Sequence, residues 1–310
     1  MGLERSGHEC VGWVESDPYC SRCKTFTTQN FTGTKNFTEC QECKKVKRQD
    51  ARFSYEAIYN TEKEWTAYDI TTVTNEHIRL LRKLGIDLLC GGFPCQAFSI
   101  GGNRGGFSDT RGTVFFDVAR FIRELRPSFL LLENVKGLLS HEMGRTFGVI
   151  LNTLAELGYD VEWELLNAKD FSTSESPTPQ NRERIFIVGH YGGLRGRVFP
   201  IIRDSFKNKI KVVGNLYNGG QAGDVLDPTG ISSCLDAMQG GNRMPKVLLN
   251  NATRIKKLSA KECWKLQGFP VEAYEKASAV NVATALYKQS GNSICVNVSE
   301  AIGKKLKGLE

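Results

Sequence analysis

The chain has 310 residues, 40% of them hydrophobic and 24% charged, which fits a folded globular protein and excludes collagen-like and disordered classes. No stretch approaches the roughly eighteen apolar residues of a bilayer span, and Met1–His8 carries no apolar signal core, so a cytoplasmic setting is expected; there, ten cysteines do not read as a disulfide framework. The net charge of +7 is spread along the chain, compatible with a polyanionic partner without demanding one.

Met1 to Ser6 reads as the end of a helix, with Gly7 as a left-handed cap. Cys10–Val14 reads as a strand with Glu15 at its tip, where an acid in a dinucleotide-type fold reaches a ribose hydroxyl; an ordinary exposed carboxylate is the alternative. Residues 18–50 differ in texture. Cys20-x-x-Cys23 and Cys40-x-x-Cys43 frame polar residues too poor in apolar side chains to build a core. Their spacing suits one closed, structural four-thiolate zinc site, against four free thiols in a loop. Lys44, Lys45, Lys47 and Arg48 follow, either as phosphate contacts or as a solvated face.

Phe53, Tyr55, Ile58 and Tyr59 form a helical apolar stripe expected in the core. Trp65 to Ile70 suggests a strand with Asp69 at its end, placed to accept from an adenine amine while Ile70 packs on the ring. A helix is expected over Asn75–Leu84, then a buried strand over Ile86–Cys90. Gly91, Gly92 and Pro94 turn the chain at once and deliver the Cys95 thiol to a strand's carboxyl end, where open α/β sheets hold ligands. A glycine-rich segment containing Arg104 follows. Val114–Leu125 is an amphipathic helix, and Ser128–Leu132 is a strand buried on both faces that ends at Glu133-Asn134-Val135.

Helix 144–157 and strands 160–166 and 184–189 continue the alternation, with a cationic turn, Thr178–Arg184, before the last strand. Strands spaced by helices predict an α/β fold with a doubly wound, mostly parallel sheet. From about Tyr191 glycines multiply and helical periodicity is lost, marking a small loop-rich domain with Arg203, Lys207, Lys209, Lys211 and Arg243 as candidate contacts to nucleic acid. Ser259 and Glu262 have capping-box spacing. Tyr287–Ser293 reads as a polar turn before a final helix.

A thiol, a carboxylic acid and an arginine gathered at one sheet edge can activate an electron-poor ring. A thiolate near guanidinium groups is a strong nucleophile, and an acid within hydrogen-bond reach can protonate the ring it attacks. Attack on carbon 6 of a pyrimidine, with protonation at N3, makes carbon 5 nucleophilic toward a sulfonium methyl.

Pro94-Cys95-Gln96, Glu133-Asn134-Val135 and Gln180-x-Arg182-x-Arg184 resemble, in order and separation, the signature blocks of the bacterial and phage DNA cytosine carbon-5 methyltransferases. Phe107-x-Asp109-x-Arg111-Gly112-Thr113, Leu258-Ser259-x-x-Glu262-Cys263-x-x-Leu266-x-Gly268-Phe269-Pro270 and Gly291-Asn292-Ser293 agree. The resemblance implies a Rossmann-like, S-adenosylmethionine-dependent methyltransferase with Cys95 as nucleophile, Glu133 as N3 partner, Arg184 on the cytosine oxygen and Arg182 supporting the loop. It implies cofactor contacts from Glu15, Asp69, Ile70, Pro94, Val114, Gly291 and Asn292, and DNA contacts from Gln96, Ser99, Arg104, Gln180, Arg203 and Arg243. The target base must leave the duplex to reach the thiol.

Residues 1–190 would form the catalytic domain, with 18–50 as an insertion; 191–275 would read the DNA sequence, and 276–310 would return to the large domain. Double-stranded DNA is the expected partner, with a cognate restriction endonuclease or a separate N-terminal fragment besides, and the chain is expected to be a monomer. The family's opening strand and Phe-x-Gly-x-Gly-Gly turn have no counterpart in this sequence: either the true start lies upstream, or that segment comes from another polypeptide, or folding and cofactor binding are impaired, and impairment is the expectation. A tRNA cytosine methyltransferase and a catalytically dead DNA-binding remnant are the rival readings.

Overall fold

The computed structural model describes residues 1–14, 31–32, 37–40, 46–67, 69–94, 114–194, 196–202, 208–217, 219–237, 243–249 and 254–309, with backbone alone for those between 31 and 48. In chain order the elements are α1 (Gly2–Arg5), β1 (Gly12–Val14), β2 (Phe31–Thr32), β3 (Phe37–Cys40), β4 (Val46–Arg48), α2 (Asp50–Ile58), β5 (Trp65–Ala67), α3 (Asn75–Arg82) and β6 (Leu88–Gly92). There follow α4 (Val114–Leu125), β7 (Phe129–Val135), α5 (Arg145–Glu156), β8 (Tyr159–Asn167) and β9 (Glu183–Tyr191). The remaining elements are β10 (Val212–Asn215), β11 (Asp224–Leu226), β12 (Lys246–Leu249), β13 (Arg254–Lys257), α6 (Ala260–Leu266), α7 (Val271–Val280), α8 (Ala283–Asn292) and α9 (Val296–Lys307).

The apolar run of β7 is buried as a central strand should be: Phe129 to Leu132 are each 6% exposed or less. Successive side chains alternate between faces. Leu130 and Leu132 pack with Phe115, Val118 and Ile122 of α4 and Ile150 and Leu154 of α5. Phe129 and Leu131 pack on the other face with Val298, Ile302 and Leu306 of α9. Helices on both faces make the sheet doubly wound, as expected.

Its strand order is β6-β7-β9-β8. β6 and β7 pair in parallel, from Leu88 opposite Phe129 to Gly92 opposite Glu133. β9 is antiparallel to both β7 and β8, so β6, β7 and β8 point one way and β9 is threaded between two of them in reverse. The link from β8 to β9 explains this departure from helix-spaced parallel strands. It holds a single 3-10 turn, Ala168–Phe171, and no crossover helix, so the chain comes back antiparallel.

β1 and β5 form a separate parallel pair. The expected strand through Ile70 stops at Ala67, because Asp69 caps a 3-10 turn over Ile70–Thr72 by accepting from the Thr71 amide. Beyond Tyr191 the glycine-rich region holds the sheet β10-β11-β12-β13. α6 and α8 pack instead beside α2, around Trp264, Leu286 and Ile58. β2, β3 and β4 form an antiparallel ladder. Among the described residues no helix is long and apolar enough to cross a membrane.

Two local expectations change. The polar stretch Lys288–Asn292 is not a turn but the last part of α8. Two of its polar groups meet neighbours: Gln289 Oε1 accepts from Ser54 Oγ, and the Ser290 carbonyl from Gln267 Nε2. On α2 the aromatic stripe is only half-buried, and Arg52 is the fully buried residue. Its guanidinium lies over the Trp13 ring and hydrogen-bonds Glu56 and Thr66, which compensates its burial.

Candidate active site at the carboxyl edge of the sheet

Because β9 runs against β7, its first residues meet the last residues of β7 at one edge. Val135 stands opposite Arg184 in the ladder. A parallel β9 would have carried the arginines to the opposite edge.

Arg184 Nε lies 3.1 Å from Glu133 Oε1, with both side chains 16% exposed. Burial pushes the Glu133 carboxyl above the usual carboxylate range, while Arg184 and then Arg182 pull it down. Glu133 has room because Gly92 faces it: a Cβ at Gly92 would stand 3.2 Å from Glu133 Oε2.

Asn134 points to the other face of β7, and its Nδ2 donates to the Phe93 carbonyl at 2.8 Å. Phe93 is itself buried against Phe115, with ring centroids 5.1 Å apart. The chain is thereby anchored two residues before Cys95, and Pro94 is exposed. Cys95, Gln96, Ser99 and Arg104 lie outside the described residues, as do Glu15, Cys20, Cys23, Cys43 and Arg203. Cys40 falls on β3, and among the described residues no cluster of His, Cys, Asp or Glu could hold a metal.

Arg182 is 3% exposed and ties three segments together. Nη1 donates to the Leu235 carbonyl at 2.8 Å, and Nη2 to the carbonyls of Gly291 and Ser293 at 2.7 and 2.9 Å. Burial and the charge of Arg184 push its pKa below the usual arginine value. Its contacts make it a strut between these three segments.

Gln180, expected at the DNA, is fully buried. Its Nε2 donates to the Leu266 carbonyl and its Oε1 accepts from the Leu235 amide at 2.8 Å; a side chain committed to two buried main-chain groups cannot read a base edge. Arg243 is exposed.

Of the residues expected to hold the cofactor, Asp69 is 8% exposed. Oδ1 accepts from both the amide and the hydroxyl of Thr71 at 2.9 Å, and burial raises the pKa of the carboxyl. Among the described residues no hydrogen bond goes to Oδ2, which is open to a donor. Ile70 is half-buried between two core clusters, its carbonyl fixed by Arg120 Nη2 at 2.8 Å. Val114 opens α4 and is half-buried. Gly291 is buried, and a Cβ there would collide with the Asp236 carbonyl, so glycine permits the close packing; Asn292 is exposed.

Sequence reasoning missed Cys234, whose Sγ receives Arg182 Nη1 at 3.4 Å and Arg184 Nη1 and Nη2 at 3.9 Å each. No spacing signal marks it, since it lies in the irregular region some fifty residues beyond those arginines.

The architecture is shared with solved methyltransferases. The chain aligns with a Dnmt2 methyltransferase of S. pombe at a TM-score of 0.59 and 20% identity, over 82% of this chain and 88% of that one. It aligns with a putative DNA modification methyltransferase encoded in an E. coli prophage at a TM-score of 0.57 and 18% identity, over 99% and 94%. The fold is thus that of an α/β methyltransferase.

A family model described as C-5 cytosine-specific DNA methylase matches residues 41–229 and 221–308. The Type II methyltransferase M.HpaII of Haemophilus parainfluenzae is 37% identical over 279 residues, 76% of this chain and 75% of that protein. M.SsoII of Shigella sonnei is 37% identical over 249 residues, 71% and 63%, and M.HhaI of Haemophilus parahaemolyticus is 34% identical over 253 residues, 70% and 74%. The chain belongs to the family of C-5 cytosine-specific DNA methylases, and it spans from 63% to 75% of the length of these relatives.

Proposed function

We propose that this protein methylates carbon 5 of cytosine in double-stranded DNA, through a covalent adduct with Cys95. The observation that carries the reading is the Glu133–Arg184 pair at 3.1 Å, set beside a strand whose exit is anchored just before Cys95. S-adenosylmethionine supplies the methyl group as a sulfonium. Asp69 fits an adenine amine through its open Oδ2, and Ile70 and Val114 offer half-buried apolar surface beside it.

In this mechanism the Cys95 thiolate forms a bond to carbon 6 while Glu133 gives a proton to N3, and the ring's electron pair shifts to carbon 5. Carbon 5 takes the methyl group as the sulfonium leaves as a neutral thioether; carbon 5 then loses its proton to solvent water, the sulfur–carbon bond breaks to release the thiolate, and N3 returns its proton to Glu133. A buried, raised-pKa carboxyl suits Glu133 for that donation. Arg184 holds the acid by its Nε edge, with Nη1 on the Glu183 carbonyl, and offers the remaining N–H of Nη2 to the cytosine oxygen. The base enters flipped from the duplex. Gln96, Ser99, Arg104, Arg203 and Arg243 are assigned to DNA contacts, supported for Arg243 by its exposure.

The Type II names of the relatives support a role in restriction–modification; we assign a cognate endonuclease as functional partner and a cytoplasmic monomer as the acting form. We further assign Cys20, Cys23, Cys40 and Cys43 to one structural zinc, on their spacing.

The deciding experiment is trapping on a duplex containing 5-fluorocytosine with S-adenosylmethionine. An adduct resistant to denaturation is expected with the natural chain and lost in Cys95→Ser. An adduct that persists in that variant refutes the assigned nucleophile.

A further inference from the structure

The segment Ser232–Asp236 leaves the small sheet's region and laces along the approach to β9. The Ser232 amide donates to the Pro179 carbonyl at 2.7 Å, and the Asn181 amide to the Ser232 carbonyl at 2.8 Å. Leu235 is held through both its amide and its carbonyl, by Gln180 and Arg182. This lacing carries Cys234 to the two guanidinium groups of the site.

The two ends of the Arg184 guanidinium have different partners. Its Nε edge faces Glu133 at 3.1 Å, and its Nη1 and Nη2 both face Cys234 Sγ at 3.9 Å. Nη1 also donates to the Glu183 carbonyl at 2.8 Å. The thiol donates to the Leu235 carbonyl at 3.4 Å, which leaves its lone pairs for the arginines. The same sulfur lies 3.4 Å from Arg182 Nη1, a guanidinium already held by three main-chain carbonyls.

We propose that Cys234 is a positioning residue for Arg184: its sulfur, beside both terminal nitrogens, holds the guanidinium in the plane from which it pairs with Glu133 and meets the base. This deepens the methyl-transfer reading and rests on it for its catalytic consequence, though not for the geometry. A sulfur is a weak hydrogen-bond acceptor, so its work is to fix an orientation and not to supply much binding energy. The small sheet's region thereby contributes to the reacting centre through a side chain, not only through its grip on DNA.

The test compares the full chain with Cys234→Ala, Cys234→Ser and Cys234→Val by two readouts. The first is single-turnover methyl transfer to a cytosine duplex, together with cofactor and duplex Kd values and thermal midpoint. Alanine should slow the chemical step roughly ten- to a hundredfold, as misplacement of an oriented group does, with Kd values and midpoint unchanged; serine, which keeps an acceptor, should restore most of the rate. The second readout needs no activity: modification of Arg184 by phenylglyoxal, mapped by mass spectrometry, should quicken severalfold in the alanine variant and return toward the natural value in serine. Valine fills the space without accepting and should behave as alanine does, which separates lost orientation from a cavity. Natural rates and natural Arg184 reactivity in both the alanine and valine variants overturn the assignment. Should the natural chain methylate no duplex, the reaction assignment fails, and the phenylglyoxal comparison still decides the role of Cys234.

Discussion

Gly92 stands opposite Glu133 in the β6–β7 ladder, and no larger residue fits there without moving the acid, because a Cβ would come within 3.2 Å of Oε2. Gly92→Val is therefore expected to displace the carboxyl from Arg184 and lower the methylation rate roughly a hundredfold, the scale of a misplaced reacting group. Gly91, whose added Cβ meets nothing within 4 Å, supplies the comparison. Equal rates for Gly91→Val and Gly92→Val would show that the facing glycine is incidental.

Glu133→Gln should cost roughly two to four orders of magnitude in rate, in line with general acid–base contributions. Its titration should also respond to its partner. Burial raises the Glu133 pKa and Arg184 lowers it, so Arg184→Gln removes the opposing charge and moves the pKa further up. If the protonated acid drives the step, rate falls as pH rises through that pKa, and the fall should begin at higher pH in the variant. A 13C carboxyl titration of Glu133 that shifts downward in Arg184→Gln contradicts the assignment of charges.

Arg182 is a strut, so its loss should register as stability before specificity. Arg182→Met leaves the carbonyls of Leu235, Gly291 and Ser293 without their donor, and the expected loss is about 3 kcal/mol or more. Urea unfolding measures it. A loss below about 1 kcal/mol would mean that the three segments hold together without the guanidinium.

Asp69 has one oxygen engaged by Thr71 and one open. Asp69→Asn can still accept from Thr71 through its carbonyl oxygen but presents an amide donor where the open oxygen stood. S-adenosylmethionine binding should weaken about tenfold, the scale of one lost hydrogen bond with an unpaired donor, while the thermal midpoint without cofactor stays put. Calorimetry with unchanged affinity removes Asp69 from the cofactor site.

The paired cysteines are tested by metal analysis. Protein purified without chelators should carry about one equivalent of zinc, and Cys20→Ser with Cys40→Ser should lose it, as a four-thiolate site requires its ligands. Less than about half an equivalent in the natural chain argues for free thiols.

Much of the architecture was legible in the residues because it follows from local rules. The helix over Val114–Leu125 agrees to the residue with its apolar period, and the capping box of Ser259 and Glu262 is formed as its spacing requires. Phe129–Leu132 announced a strand covered on both faces by being apolar at every position. Glu133 and Arg184 also stand near the end of one strand and the start of another, as the residues around them indicate.

The tertiary structure decided the rest, because direction and burial belong to pairs of distant segments. A sequence states that β9 is a strand but not which way it runs; the missing crossover helix reverses it, and that reversal brings Arg184 to Glu133. Gln180 and Arg182 carry the polar side chains of surface residues, yet main-chain groups of Leu235, Leu266, Gly291 and Ser293 surround them. The polar run Lys288–Asn292 is helix, with Gln289 Oε1 and the Ser290 carbonyl bonded to distant side chains. Cys234 entered the site with no local pattern at all. Periodicity and capping act between residues a few positions apart and can be read along a chain, whereas a site's geometry is set by contacts across fifty residues or more, which only the folded protein brings within a few ångströms.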